Sequence, residues 1–224
     1  MPFVTGAQVA DTVKSRPAKA DTVKNRFLPT GIRIGTDLIS LVKSQRQLNY
    51  DGWEINADID LYRYFLAFEY GEWSRHFNSP GGVYDNAGTY WRVGTDVNFL
   101  LKDEDRNVVF IGLRYGRSKF SETYSISAVD SLWGPINGTY EHTDVPARWL
   151  ELTGGLKVKI WKFIWMGYTG RFNFALKTGS TPAMLPHDIP GFGNTSKQTT
   201  WGFNYYIMMR IPFRKTPPLP PSRK

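Results

Sequence analysis

Residues 201–213 alternate strictly between two kinds of side chain. Trp201, Phe203, Tyr205, Ile207, Met209, Ile211 and Phe213 are interleaved with Gly202, Asn204, Tyr206, Met208 and Arg210. Successive side chains of a strand point to opposite faces, so this segment forms a strand with one wholly apolar and aromatic face. The rhythm recurs at 53–61, where Trp53, Ile55, Ala57, Ile59 and Leu61 oppose Glu54, Asn56, Asp58 and Asp60. At 89–101, Trp91, Val93, Val97 and Phe99 oppose Tyr90, Arg92, Gly94, Asp96 and Asn98; at 163–177, Ile164, Met166, Tyr168, Phe172, Phe174 and Leu176 oppose Gly167, Thr169, Arg171, Asn173 and Lys177. Weaker versions occur at 31–43, where Arg33 and Asp37 oppose Ile32, Ile34 and Leu38, and at 64–70, 108–115 and 149–160. About eight strands follow, many near the roughly 9–11 residues that a tilted strand needs to cross a bilayer.

Alternation alone also fits a soluble barrel or sandwich, in which the charged face meets water. Charge balance separates the readings. Asp37, Glu54, Asp58, Asp60, Glu69, Asp96 and Glu151 are matched in sign by Arg33, Arg63, Arg92, Arg114, Lys157, Arg171 and Arg210. Such balance is what a filled, hydrogen-bonded lumen requires, because an unpaired charge in a confined dry space costs several kcal/mol. Connections alternate too. Short links are expected at 60–64, 101–107 and 159–163, a medium one at 43–52, and long loops at 71–88, 117–147 and 179–199. All the short links and both tails fall at one end, as in barrels with periplasmic turns and external loops. Aromatic residues gather at the two expected interfaces: Tyr62, Tyr64, Trp161, Phe163 and Phe213 near the short turns, and Trp53, Trp73, Trp91, Trp149 and Trp201 near the loops. The reading is an all-β chain, a transmembrane antiparallel up-and-down β-barrel of about eight strands with a charged, filled lumen.

The 224 residues suit one such domain. Cys is absent, which excludes disulfides and thiolate metal sites. The net charge of +8 would suit a nucleic-acid or anionic-lipid partner, but much of it sits in the tails, at Lys14, Arg16, Lys19, Lys24 and Arg26 and at Arg214, Lys215, Arg223 and Lys224. In the strands basic and aromatic residues take opposite faces, so no combined nucleic-acid surface is expected. Residues 1–7 read as the remnant of an export signal cut between Ala7 and Gln8. Residues 8–29 read as a disordered periplasmic leader, in which Ala10-Asp11-Thr12-Val13-Lys14 returns as Ala20-Asp21-Thr22-Val23-Lys24. Both copies, and Asp130-Ser131-Leu132, resemble an Asp-Ser/Thr-aliphatic O-glycosylation acceptor, which makes Thr12 and Thr22 candidate sites. Residues 30–214 form the barrel, and 215–224 a basic, proline-rich tail of polyproline character.

Signals for chemistry are weak. His142 with Ser131 and Asp144 offers base, nucleophile and carboxylate within one loop, the minimum for an outer-leaflet lipid hydrolase or acyltransferase. Long polar loops contain these residue types by composition alone, and His76, His142 and His187 are each expected as plain loop residues. Histidine spacing fits no metal site, the glycine pairs fit no phosphate loop, and no cofactor is expected.

The opening strand Gly31-Ile32-Arg33-Ile34-Gly35-Thr36-Asp37-Leu38, the segment Tyr90-Trp91-Arg92-Val93-Gly94-Thr95-Asp96 and the final strand 205–213 running into Arg214-Lys215 resemble small outer-membrane β-barrel families of Bacteroidetes-type bacteria that lack an assigned function. The resemblance spans most of the barrel and contains no catalytic motif. The proline-rich tail beyond Phe213 departs from the usual insertion signal, which ends at the terminal aromatic. The resemblance implies the barrel fold and location in the bacterial outer membrane, in contact with its lipid; a plugged lumen fits a non-enzymatic structural or accessory subunit of an envelope complex, with protein partners in the envelope. A lipid-modifying enzyme and a soluble lipocalin-like carrier of a hydrophobic ligand are the competing classes.

Overall fold

The structure is a computed structural model that describes residues 27–47, 49–103, 105–130, 134–179 and 185–214. The readings made for residues 1–26, including Thr12 and Thr22, for Ser131 and for 215–224 lie outside the described residues.

The elements in chain order are β1 (Gly31–Asp37), α1 (Leu38–Arg46), β2 (Tyr50–Leu61), β3 (Tyr64–Ser79), β4 (Gly82–Asn98), β5 (Val108–Asp130), β6 (Gly134–Trp161), β7 (Ile164–Lys177), β8 (Asp188–Ile189), β9 (Gly193–Asn194) and β10 (Thr199–Pro212). Eight of these close into an antiparallel barrel in the order β1-β10-β7-β6-β5-β4-β3-β2, and β8 and β9 form a small separate ribbon. Closure is made by β1 against β10, with Arg33 opposite Arg210 and Asp37 opposite Tyr206. Closing the ring leaves no sheet edge, the condition for backbone in a medium that cannot hydrogen-bond to it.

The alternation resolves as an inside-out polarity. Trp201, Phe203, Met209, Ile211 and Phe213 are exposed on the outer wall, together with Leu66, Phe68, Ile111, Leu113, Leu150, Leu152 and Phe174. Arg33, Glu54, Asp58, Glu69, Arg92, Asp96, Arg114, Glu151 and Arg171 are buried inside. An apolar outer band around a polar bore is the polarity of a membrane barrel and the reverse of a soluble one.

Four sequence expectations are corrected. The first strand stops at Asp37 instead of running on to residue 43: its carboxylate accepts from the Ile39 and Ser40 backbone N–H groups at 3.2 Å and caps α1. An N-cap Asp, a stretch without alternation and basic residues Lys43 and Arg46 in the last turn together favour helix. The expected loops 71–88 and 117–147 are mostly sheet. β3 and β4 meet across residues 80–81, and β5 and β6 continue to Asp130 and from Gly134. In that outer extension polar residues occupy both faces, as in Glu122, Thr123 and Ser125 opposite His142, Glu141 and Thr139, so the ladder persists where the period-two hydrophobic signal has gone. His76 and His142 therefore lie on strands, and only His187 lies in a loop. Trp73 and Trp149 belong to the inward face rather than to an interfacial belt: each shares the parity of a lumen carboxylate, Glu69 and Glu151, and Trp149 is almost fully buried. Arg63 is exposed in the turn between β2 and β3 and takes no place in the lumen.

The interior is layered. Near the termini Phe65, Val108, Phe110, Trp165, Tyr206 and Met208 pack together. At the loop end Tyr90, Phe120, Val145, Ala147 and Trp149 pack around Ile189 and Phe192 of the β7–β10 loop, which thus enters the barrel mouth. Gly116 is required there, because a Cβ at this position would overlap the Trp149 indole. Gly191 turns the plug at φ +81° against the Tyr90 ring, a conformation and a clearance that only glycine satisfies.

Replacing Gly116 by Ala is expected to destabilise the barrel by about 1–3 kcal/mol through overpacking against Trp149. Urea unfolding of the protein refolded in detergent micelles would measure this, and an unchanged midpoint would refute the packing assignment.

Candidate functional site

Most of the lumen residues read from sequence sit between the two apolar layers. Inward positions of β2 on either side of Asn56 supply Glu54 and Asp58, β3 supplies Glu69, β4 supplies Arg92 and Asp96, β5 Arg114, β6 Glu151 and Lys157, β7 Arg171 and β1 Arg33. Carboxylates Glu54, Asp58, Glu69, Asp96 and Glu151 thus meet an equal number of cations.

The pairs form one chain of contacts. Arg33 Nε lies 2.7 Å from Asp58 Oδ1, whose other oxygen is 2.9 Å from Lys157 Nζ. Lys157 reaches Asp96 at 3.3 Å, and Asp96 is 3.0 Å from Arg114. Arg114 also pairs with Glu69. Glu69 is shared with Arg92 at 3.1 Å and Arg171 at 2.9 Å. Arg171 continues to Glu151 at 2.8 Å, and Arg92 pairs with Glu54. Neutral donors complete the carboxylates: Tyr90 Oη donates to Glu54 at 2.6 Å, Trp149 Nε1 donates to Glu151 at 2.6 Å, and the Tyr206 hydroxyl donates to Glu54. Where the network touches the lower apolar layer, the Lys157 ammonium sits 4.7 Å from the Phe110 ring centre and the Arg33 guanidinium 4.5 Å from that of Phe65. Those ring faces attract the cations they cover.

Topology decides what this network can do. In the eight-strand ring β7 and β3 stand four places apart, as do β6 and β2, so Arg171–Glu69 and Lys157–Asp58 each cross the full bore. Ion pairs spanning the diameter of a narrow barrel fill it with side chains rather than line a channel.

The other predicted lumen residues lie apart from this centre. Asp37 divides its oxygens between the α1 cap, the Tyr205 backbone N–H at 2.9 Å and Asn204 Nδ2 at 2.9 Å. Asp60 and Arg210 pair at 2.9 Å at the terminus end, only partly buried, where Asp60 also accepts from Thr30 N and Gly31 N. Of the weak catalytic set, His142 Nδ1 lies 3.3 Å from Glu122, and Asp144 is exposed and paired with Lys119 at 2.8 Å.

Sequence reasoning puts Tyr90, Asn204 and Tyr206 on the polar faces without giving them a place in the lumen network, and puts Trp149 in the belt although it shares strand parity with Glu151. It misses the plug. Asp188 is fully buried against Arg75, with Nη1 to Oδ2 at 2.5 Å, and its carbonyl accepts from Asn86 Nδ2 at 2.7 Å. Phe192 O accepts from Asn173 Nδ2 at 3.1 Å and Thr200 Oγ1 at 2.7 Å. Burial raises the Asp188 carboxyl above its ordinary value, with Arg75 and His187 opposing the rise.

Two outcomes follow. Glu69→Ala leaves Arg92, Arg114 and Arg171 without their shared carboxylate and is expected to cost about 3–5 kcal/mol, whereas loss of the exposed Lys119–Asp144 pair by Asp144→Ala costs about 0–1 kcal/mol. Urea midpoints in micelles compare the two. A carboxyl that ionises less readily in the docked loop than in the released one favours docking while protonated. Plug docking is thus strongest in acid, below the ordinary carboxylate range, and this contribution is lost as pH rises through the raised Asp188 value. Amide exchange at Ile189 and Phe192, corrected for intrinsic rates, is expected to lose protection from acid to neutral pH in the native chain and to be insensitive in Asp188→Asn; equal profiles would remove Asp188 as the cause.

Among solved structures, the chain is similar to Neisserial surface protein A, with 10% identity, coverage of 83% of this chain and 96% of that one, and a TM-score of 0.40. No curated protein matches it in sequence. Residues 2–216 match the family described as Domain of unknown function (DUF6048), which takes in the whole barrel, and the chain belongs to that family.

Proposed function

We propose that this protein is a bacterial outer-membrane β-barrel with its termini and short turns in the periplasm and the β3–β6 extension outside. In this reading it serves as a structural or accessory subunit of an envelope complex. The observation that carries it is the pairing of an apolar outer wall with a bore filled by cross-lumen ion pairs. A wall of that polarity is stable in lipid, and a bore of that kind favours a rigid body over a conduit. The outer extension supplies the contact surface: β5 and β6 run for 23 and 28 residues, against the roughly 9–11 that cross a bilayer, and project well beyond the apolar belt.

A lipid-modifying enzyme is less well supported, because Asp144 pairs with Lys119 while His142 approaches Glu122. A carrier of a hydrophobic ligand needs an apolar interior, and here the charged layer occupies it.

Expression with an added export signal, membrane fractionation and heat-modifiable gel migration test the location. A band in the outer-membrane fraction that shifts on boiling is expected; folded protein free of detergent would overturn the reading. Crosslinking through the outer extension then tests the role, with defined envelope proteins expected and none recovered counting against it. His142→Ala is expected to leave the lipid composition of the membrane unchanged, and an altered lipid profile would revive the enzyme.

A further inference from the structure

On the outer wall, register places cations directly against one another. Arg117 of β5 stands opposite Arg148 of β6, and a bulge at the end of β7 brings Lys177 opposite Arg148 in turn. All three are exposed. Among the described residues no carboxylate pairs with them; the nearby Asp144 is engaged by Lys119. Like charges directly opposed across a ladder are destabilising, so three in a row across neighbouring strands call for an external anion.

Their position identifies its setting. Below Arg117 and Arg148, toward the termini, the outward side chains are apolar, and a groove of about 350 Å³ is lined by Leu113, Tyr115, Leu150, Leu152 and Phe174, with Arg114 and Glu151, whose side chains are buried, between them. Beside Arg117 the outward Trp91 and Tyr115 rings lie 5.8 Å apart, an aromatic pair at the loop-end limit of the apolar belt. Cations above an apolar groove at the edge of the belt match a lipid with its anionic headgroup at the rim and an acyl chain along the wall. The row crosses two strand spacings, roughly 10 Å, wider than one phosphate.

We infer that Arg117, Arg148 and Lys177 with the groove beneath them form a binding site for a diphosphorylated glycolipid of the outer leaflet. The two arginines hold one phosphate, Lys177 reaches the second, and one acyl chain lies against Leu113, Leu150 and Phe174. The inference rests on the membrane reading above.

The test uses the full chain refolded in detergent micelles, with native mass spectrometry of bound lipid. The probes are diphosphoryl lipid A, its dephosphorylated form and phosphatidylglycerol. The native chain is expected to retain one diphosphoryl lipid A, with retention at least tenfold lower for the dephosphorylated form, lower for phosphatidylglycerol, and at least tenfold lower in the Arg117→Gln/Arg148→Gln double variant. Without lipid the double variant, relieved of like-charge contact, should unfold at equal or higher urea than the native chain, which separates lost binding from lost folding. Equal retention by native and variant chains, or of phosphorylated and dephosphorylated lipid, overturns the site. Phosphatidylglycerol held as tightly as lipid A overturns the two-phosphate assignment. A barrel that folds in detergent yet ignores phosphate sinks only this site, whereas a chain that folds without detergent sinks the membrane reading with it.

Discussion

Charge neutrality inside a narrow bore governs the rest of this structure. An eight-stranded barrel has an interior just wide enough to be filled by side chains, and one whose wall is apolar outside must put its polar residues there. Once Arg171, Arg92 and Arg114 point inward, each needs an acceptor within reach, and Glu69 serves all three. Removal of either sign would strand the other in a medium of low effective dielectric. The network depends on the ring order, because Arg171 finds Glu69, and Lys157 finds Asp58, only when β7 stands opposite β3 and β6 opposite β2.

The apolar layers above and below protect that neutrality. Phe65, Phe110, Trp165 and Met208 close the terminus side, and the β7–β10 loop closes the other by inserting Ile189 and Phe192 against Trp149. With water kept from both ends, the ion pairs act at short range and without competition. The outer wall follows a different logic. Lipid asks only for apolar contact, so its aromatic and aliphatic residues need no specific partners, and specificity enters only where Arg117, Arg148 and Lys177 interrupt that band at its upper limit.

How far the sequence could be read depends on where two environments differ across a strand. Within the bilayer-facing zone one side of each strand is apolar and the other polar, so segments such as 53–61 and 201–213 announce strand, face and lumen residues together. Arg33, Glu54, Asp58, Arg92, Asp96, Arg114, Glu151 and Arg171 were legible for that reason. Outside the zone both faces meet polar surroundings, and the extensions of β3 to β6 read as loops. Trp149 was assigned to the belt by residue type, although its parity with Glu151 places it inside.

The sequence by itself determined the strand count, the polarity of the wall and the sign balance of the bore, because each is written in a period of two. Only the tertiary structure decided the rest: that Asp37 turns the chain into α1, that Glu69 rather than another carboxylate is the shared acceptor, that Asp188 and Phe192 return to plug the mouth, and that Arg117 meets Arg148. These are matters of register and of loop return. One residue of slip leaves composition unchanged yet moves every side chain to the other face, and a loop's path depends on contacts distant in the chain.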